Sequence, residues 1–168
     1  MPVASDDFAL ICRYADNFFK TANLLQQISD RDWRLKSIVI APVGTYNAFS
    51  LELFFKCLAA IHTGVVPRSH NLKVLFDKIA PATQIRIRAV HAGYVEGYDV
   101  GVELARITGG PHPQDFDAVL DASKHAFERF RYLYEKQEAS FVAGPILMST
   151  RIVLHEMHPE WFQDWPGF

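Results

Sequence analysis

Residues Thr45–Ile79, TYNAFSLELFFKCLAAIHTGVVPRSHNLKVLFDKI, decide the fold. From Thr45, read as a cap, the segment is apolar on nearly every side and predicts a helix ended by Gly64. A helix of that kind belongs inside a bundle. One charged stripe, Glu52 and Lys56, crosses it at the favourable i, i+4 spacing. An unpaired buried charge is costly, so this pair is expected either to hold the core or to meet a partner at a contact surface. Pro67 and Ser69-His70-Asn71 then form a turn, with Asn71 or Ser69 as cap and His70 as a turn histidine bonding backbone. Leu72, Leu75, Phe76 and Ile79 make one face of a second helix.

Outward from this stretch, helix follows helix. Ser5-Asp6-Asp7 opens a segment whose Leu10, Tyr14, Phe18, Ala22 and Leu25 recur at three and four, with Ser5 as cap. Ser37-Ile38-Val39-Ile40-Ala41-Pro42 reads as a β-branched run closed by proline, a connector before the central helix. A further helical segment spans Gln84 to about Ile107, and Gly109-Gly110-Pro111-His112-Pro113 is a loop. Residues 114–138 carry the strongest helical period, through Phe116, Val119, Leu120, Ser123, Phe127 and Phe130. Lys124, Glu128, Arg131, Tyr132 and Glu135 line its polar face. Gly144-Pro145 opens a last helix that Pro159 stops, and an aromatic tail, PEWFQDWPGF, packs back on the body or on a partner.

Composition narrows the class. The 168 residues suit one domain, and 49% apolar with 21% charged residues excludes a disordered chain. Thirteen phenylalanines, six tyrosines and three tryptophans predict an aromatic core. A net charge of -2 argues against a broad nucleic-acid surface. Cys12 and Cys57 stand singly on apolar segments, as reduced buried thiols do, and no paired spacing suits a metal. Neither a signal peptide nor an uninterrupted apolar run of membrane-spanning length is read, so a cytoplasmic protein without membrane contact is expected. His155 and His158 are separated by two residues rather than three, which excludes the zinc-protease helix.

Glu52-Leu53-Phe54-Phe55-Lys56, a glycine-ended helix, and His70-Asn71-Leu72 with Leu75 three positions on resemble the HEPN domains (higher eukaryotes and prokaryotes nucleotide-binding). The long helix Ala126–Glu135 is similar to their closing helix. Asn71 departs from the aspartate common there, though it can still cap a helix. The resemblance covers roughly residues 6–136. It implies an all-α, up-and-down four-helix bundle with an additional C-terminal helix, as one domain over residues 1–168, with the C-terminal helix and tail at 140–168.

By that resemblance the protein is a metal-independent endoribonuclease, or an RNase-derived component, of a bacterial toxin–antitoxin or anti-phage system. It is expected to need no cofactor and to form a homodimer, with RNA and a cognate antitoxin or defence-system protein as partners. The family's reacting pair is an arginine and a histidine with four to six residues between them. Arg106 and His112 match just ahead of the last core helix, and Arg86 and His91 match within an earlier one. A histidine can take the 2′-hydroxyl proton, and an arginine can stabilise charge building on phosphorus. Glu52, Lys56, His70, Arg131, Tyr132 and Glu135 are expected to form a polar network or binding face. A catalytically silent module that dimerises or binds a partner or nucleotide through that face is the alternative.

Overall fold

The computed structural model describes residues 5–97, 115–132 and 143–162, and every regular element among them is helical. Helix α1 (Ser5–Arg31) is joined by a 3-10 turn (Trp33–Leu35) to α2 (Lys36–Thr63). Then come α3 (Leu72–Phe76), α4 (Pro81–Gly97), α5 (Phe116–Ser123), α6 (Ala126–Arg131) and α7 (Gly144–Met157), with a 3-10 turn at Pro159–Phe162.

Helices α1 and α2 form an antiparallel hairpin held close by small residues. Ala15, Ala22 and Cys12 are fully buried on α1. Ser50 Oγ donates to Ala15 O at 2.8 Å, and Cys57 Sγ to Phe8 O at 3.3 Å. The inward face of α1 is therefore only partly the predicted one: Ala22 is buried and Phe18 packs edge-on to Phe49 at 4.8 Å, but the N-terminal members of the stripe turn outward. Leu10 and Tyr14 lie in solvent, because the alanine and cysteine stripe permits a closer approach of the two helices and wins the interior.

Helix α2 begins earlier than its proline suggested. Residues 36–42 are helical with Pro42 inside, and Val39 is buried. Proline forfeits one helical hydrogen bond, but the stretch stays helical where it packs on its neighbours. Thr45 accordingly caps nothing; its hydroxyl donates to Ala41 O at 2.8 Å within the helix. Gly64 does end α2, at φ 73° with its N–H on Ala60 O. Among the described residues one helix, Trp33–Thr63, is long and apolar enough by composition to cross a membrane; its interruptions by single polar residues hid it from a search for an unbroken apolar run.

The core gathers Leu51, Phe54, Phe55 and Leu58 of α2, Leu72, Leu75 and Phe76 of α3, Ile87 of α4, Val119 and Leu120 of α5, and Ile146, Leu147, Val153 and Leu154 of α7. Pro145 sits in the first turn of α7, as read from sequence. Trp161 and Phe162 of the tail pack against this core.

The single helix expected over residues 114–138 is interrupted. Helix α5 stops at Ser123 and α6 starts at Ala126, because Lys124 O accepts the N–H of Leu72 at 2.9 Å and so serves the start of α3. Gly44 allows α6 to lie on α2, since a Cβ there would overlap the Phe130 ring.

Candidate functional site

The polar centre of the described fold is the corner where α2 meets the turn before α3. Glu52 is fully buried, and its Oε1 accepts from Lys56 Nζ at 2.8 Å and from His70 Nδ1 at 2.9 Å. Oε2 is buried without a hydrogen-bond partner among the described residues. The helix supplies Glu52 and Lys56 by its own periodicity. His70 arrives from the turn, which Asn71 fixes by accepting from Lys73 N and Val74 N at 3.0 and 3.1 Å. Ser69 Oγ braces it by accepting from Asn71 N at 3.1 Å.

A carboxylate can accept only from a protonated Nδ1, so in His70 that nitrogen carries the hydrogen and Nε2 is the ring nitrogen left for another partner. Its ring is 47% exposed, whereas the Lys56 side chain is 13% exposed and Glu52 is inaccessible. The corner therefore offers solvent a histidine oriented by a buried carboxylate, with an ammonium behind it. Phe127 of α6 flanks the imidazole, ring centroids 6.3 Å apart, and itself stacks on Phe49 at 4.6 Å. His70 thus bonds a side chain rather than the backbone that its turn position suggested, and that side chain is Glu52, with which it was also grouped in the expected polar network.

Phe127 meets Phe49 while Phe130 meets Gly44, so α6 runs antiparallel to α2. Gly44 lies eight residues before Glu52, about 12 Å along the helix. Arg131 and Tyr132 follow Phe130, at the end of α6 that leads away from the Glu52 corner; Tyr132 is half-exposed there. Glu135, Arg106 and His112 lie outside the described residues.

The second arginine–histidine match is not brought together. Arg86 is exposed and makes a two-pronged bond to Glu156 of α7, at 3.0 and 2.7 Å. His91 is buried edge-on to Phe116, ring centroids 5.2 Å apart, with Nε2 unpartnered among the described residues. Burial pushes its imidazole below the usual histidine value, and Arg88 adds to this against the pull of Asp115. The structure separates a surface tie from a core histidine.

One further feature escaped the sequence reading, and one agrees with it. Asp16, 3% exposed, accepts from Arg151 Nε at 2.7 Å and pairs with Lys20 at 3.1 Å. Cys57 and burial together hold the Cys12 thiol far above its ordinary range, so it stays protonated and unreactive. No group of three or more histidine, cysteine or acidic side chains converges among the described residues. His158 instead stacks on Trp161 at 3.8 Å, and His155 lies 5.2 Å from the Phe162 ring. Compared with known proteins, no family model, no curated protein and no solved structure matches this chain.

Proposed function

We propose that this protein is a HEPN-like helical module, cytoplasmic and dimeric, that binds a nucleotide or RNA segment at the Glu52–Lys56–His70 corner. It would serve as a component of a bacterial toxin–antitoxin or anti-phage system. The observation that carries this reading is the buried Glu52 carboxylate, which orients a half-exposed His70 while Lys56 supplies positive charge behind it. A fold that only needed an ion pair here would require Lys56 alone. The added imidazole, flanked by Phe127, gives a face with one ring for stacking and one ring nitrogen for a base edge or ribose hydroxyl.

Binding of ATP and of a short oligoribonucleotide, measured by calorimetry, tests this reading. The wild type is expected to bind at least one of them, and His70→Ala, with an unchanged helical spectrum, to lose about tenfold or more in affinity. Absence of binding to both at millimolar concentration rejects it.

A second reading, metal-independent RNA cleavage by Arg106 and His112, draws support from the start of α5. Asp115 caps that helix by accepting from Ala118 N at 2.9 Å, three residues after His112, the chain order that the family resemblance requires. Cleavage of RNA in EDTA by the wild type, lost in His112→Ala, supports that reading. Equal activity in the two proteins removes it.

A further inference from the structure

Three histidines pair with a carboxylate among the described residues, and they are not equivalent. His125 reaches Glu128 at 3.1 Å and His158 reaches Glu160 at 3.2 Å, but those acidic side chains are 49% and 57% exposed. His70 reaches Glu52 at 2.9 Å, and the Glu52 side chain has no exposure at all. A solvated carboxylate swings freely and is screened by water. A buried one stays in place and acts on the ring more strongly, because the dielectric around it is lower. Lys56, on the same oxygen, offsets the cost of burying that charge.

The far side of the ring is what a mere tether would not need. Nε2 of His70 bonds no described residue, and the ring is half in solvent. A histidine that only pinned the turn to α2 would use Nδ1 and gain by burying the rest. Its direction is fixed from two sides, since Asn71 caps α3 one residue on and Phe127 flanks the ring. A fixed carboxylate, a hydrogen assigned to Nδ1 and an open Nε2 make the arrangement of a general base.

A base needs a hydroxyl to activate. Ser69 Oγ, the hydroxyl of the turn, is turned back on the N–H of Asn71 at 3.1 Å. The nucleophile must then come with the ligand, and RNA carries one, the 2′-hydroxyl beside each phosphodiester. Charge building on phosphorus also needs a cation that is not already spent. Lys56 is committed to Glu52 at 2.8 Å, Lys124 to Asp121 at 3.0 Å and Lys73 to Asp77 at 3.7 Å. Arg68 is exposed and makes no hydrogen bond or ion pair with any described residue. It precedes His70 by two residues, a span of at most about 7 Å, which an arginine side chain can cover.

We propose that His70 is the general base of an RNA cleavage at this corner, with Glu52 as its positioning residue and Arg68 as the cation on the phosphate. Nε2 of the neutral ring takes the proton of the 2′-hydroxyl while the 2′ oxygen attacks phosphorus. The bond from phosphorus to O2′ forms, and the bond to the leaving 5′ oxygen breaks. The 5′ oxygen takes a proton from water, and His70 returns its own to the solvent. The products are a 2′,3′-cyclic phosphate and a 5′-hydroxyl end, with no electron transferred. This inference rests on the reading that RNA binds at the corner. It assigns the chemistry to residues other than Arg106 and His112.

Cleavage of a short oligoribonucleotide in EDTA, at saturating concentration, tests it. The wild type is expected to yield the cyclic phosphate and to leave a 2′-deoxy oligonucleotide intact. His70→Ala should lose about a hundredfold or more in rate, and added imidazole should restore part of it, as it would not restore a structural loss. His62→Ala, an exposed histidine ten residues beyond Glu52 on α2, should match the wild type. Arg68→Ala should lose about tenfold or more, and Arg68→Lys less. Glu52→Gln should lower kcat about a hundredfold with KM little changed, and an unchanged kcat would remove its positioning role. Equal rates in the wild type and His70→Ala, or cleavage of the 2′-deoxy oligonucleotide, overturn the proposal. RNA that binds the wild type but stays intact also overturns it, and leaves the binding reading standing. Cleavage that survives in His70→Ala and vanishes in His112→Ala hands the reaction to the other pair and overturns it as well.

Discussion

Arg151 Nε donates to Asp16 Oδ1 at 2.7 Å, joining the last long helix to the first across 135 positions of sequence. The guanidinium also lies over the Phe19 and Phe162 rings, at 5.1 and 5.3 Å. One side chain therefore ties α7, α1 and the C-terminal turn together.

Removing the acceptor should be costly. Asp16→Ala strands Arg151, whose side chain is only 25% exposed, and should lower unfolding stability by about 2–3 kcal/mol. Urea denaturation measures it. A loss within the half-kilocalorie typical of surface changes would show that the tie is ornamental.

Gly44→Ala should destabilise the protein by about 1–3 kcal/mol, because the new methyl group overlaps the Phe130 ring. Combining it with Phe130→Leu should recover part of that loss. A double-mutant cycle with no coupling would mean that α6 does not rest on this glycine.

His91 makes stability depend on pH. Burial favours the neutral ring, so the unfolded chain binds the proton more readily than the folded one. The contribution of His91 is complete above the ordinary histidine value of 6.5, is lost as pH falls through it, and levels off below the lower folded value. Between about pH 7.5 and about pH 5.5, the urea midpoint of the wild type should fall further than that of His91→Phe. Parallel profiles for the two proteins would contradict this.

Asn71→Ala removes the acceptor of two backbone N–H groups and should cost about 1 kcal/mol, whereas Asn71→Asp should cost little. Thermal melts of the two variants distinguish a cap from a passive turn residue.

Local chemistry was the part of this fold legible in sequence. Gly64, Asn71 and Pro145 each occupy the end or start their chemistry predicts, because caps are decided within four residues. The face of α1 was only partly legible. Two stripes with helical spacing compete there, one of small residues and one of large, and only the approach of α2 decides which is buried. The break at Lys124 was hidden for a similar reason, since its carbonyl is taken by Leu72, remote in sequence. At the candidate site, the Glu52–Lys56 pair follows from helical period, while the contribution of His70 needed the turn to fold back. Nothing local to Asp16 or His91 foretold burial.

The order of synthesis gives α2 a particular exposure. Its apolar length is complete at Thr63, yet Ile146, Leu147 and Arg151 of α7 emerge only about eighty to ninety residues later. At ordinary translation rates, that leaves the central helix without its final cover for about 5–20 seconds on the ribosome. In that interval the nascent chain displays a segment that passes for a membrane span. Hairpin formation with α1 hides only one side of it. The buried Glu52 and Lys56 are then a mark against misrouting, since two opposite charges near the middle of the helix raise the cost of entering a bilayer. The same pair that organises the corner in the finished fold would thus weigh against membrane entry by the unfinished chain.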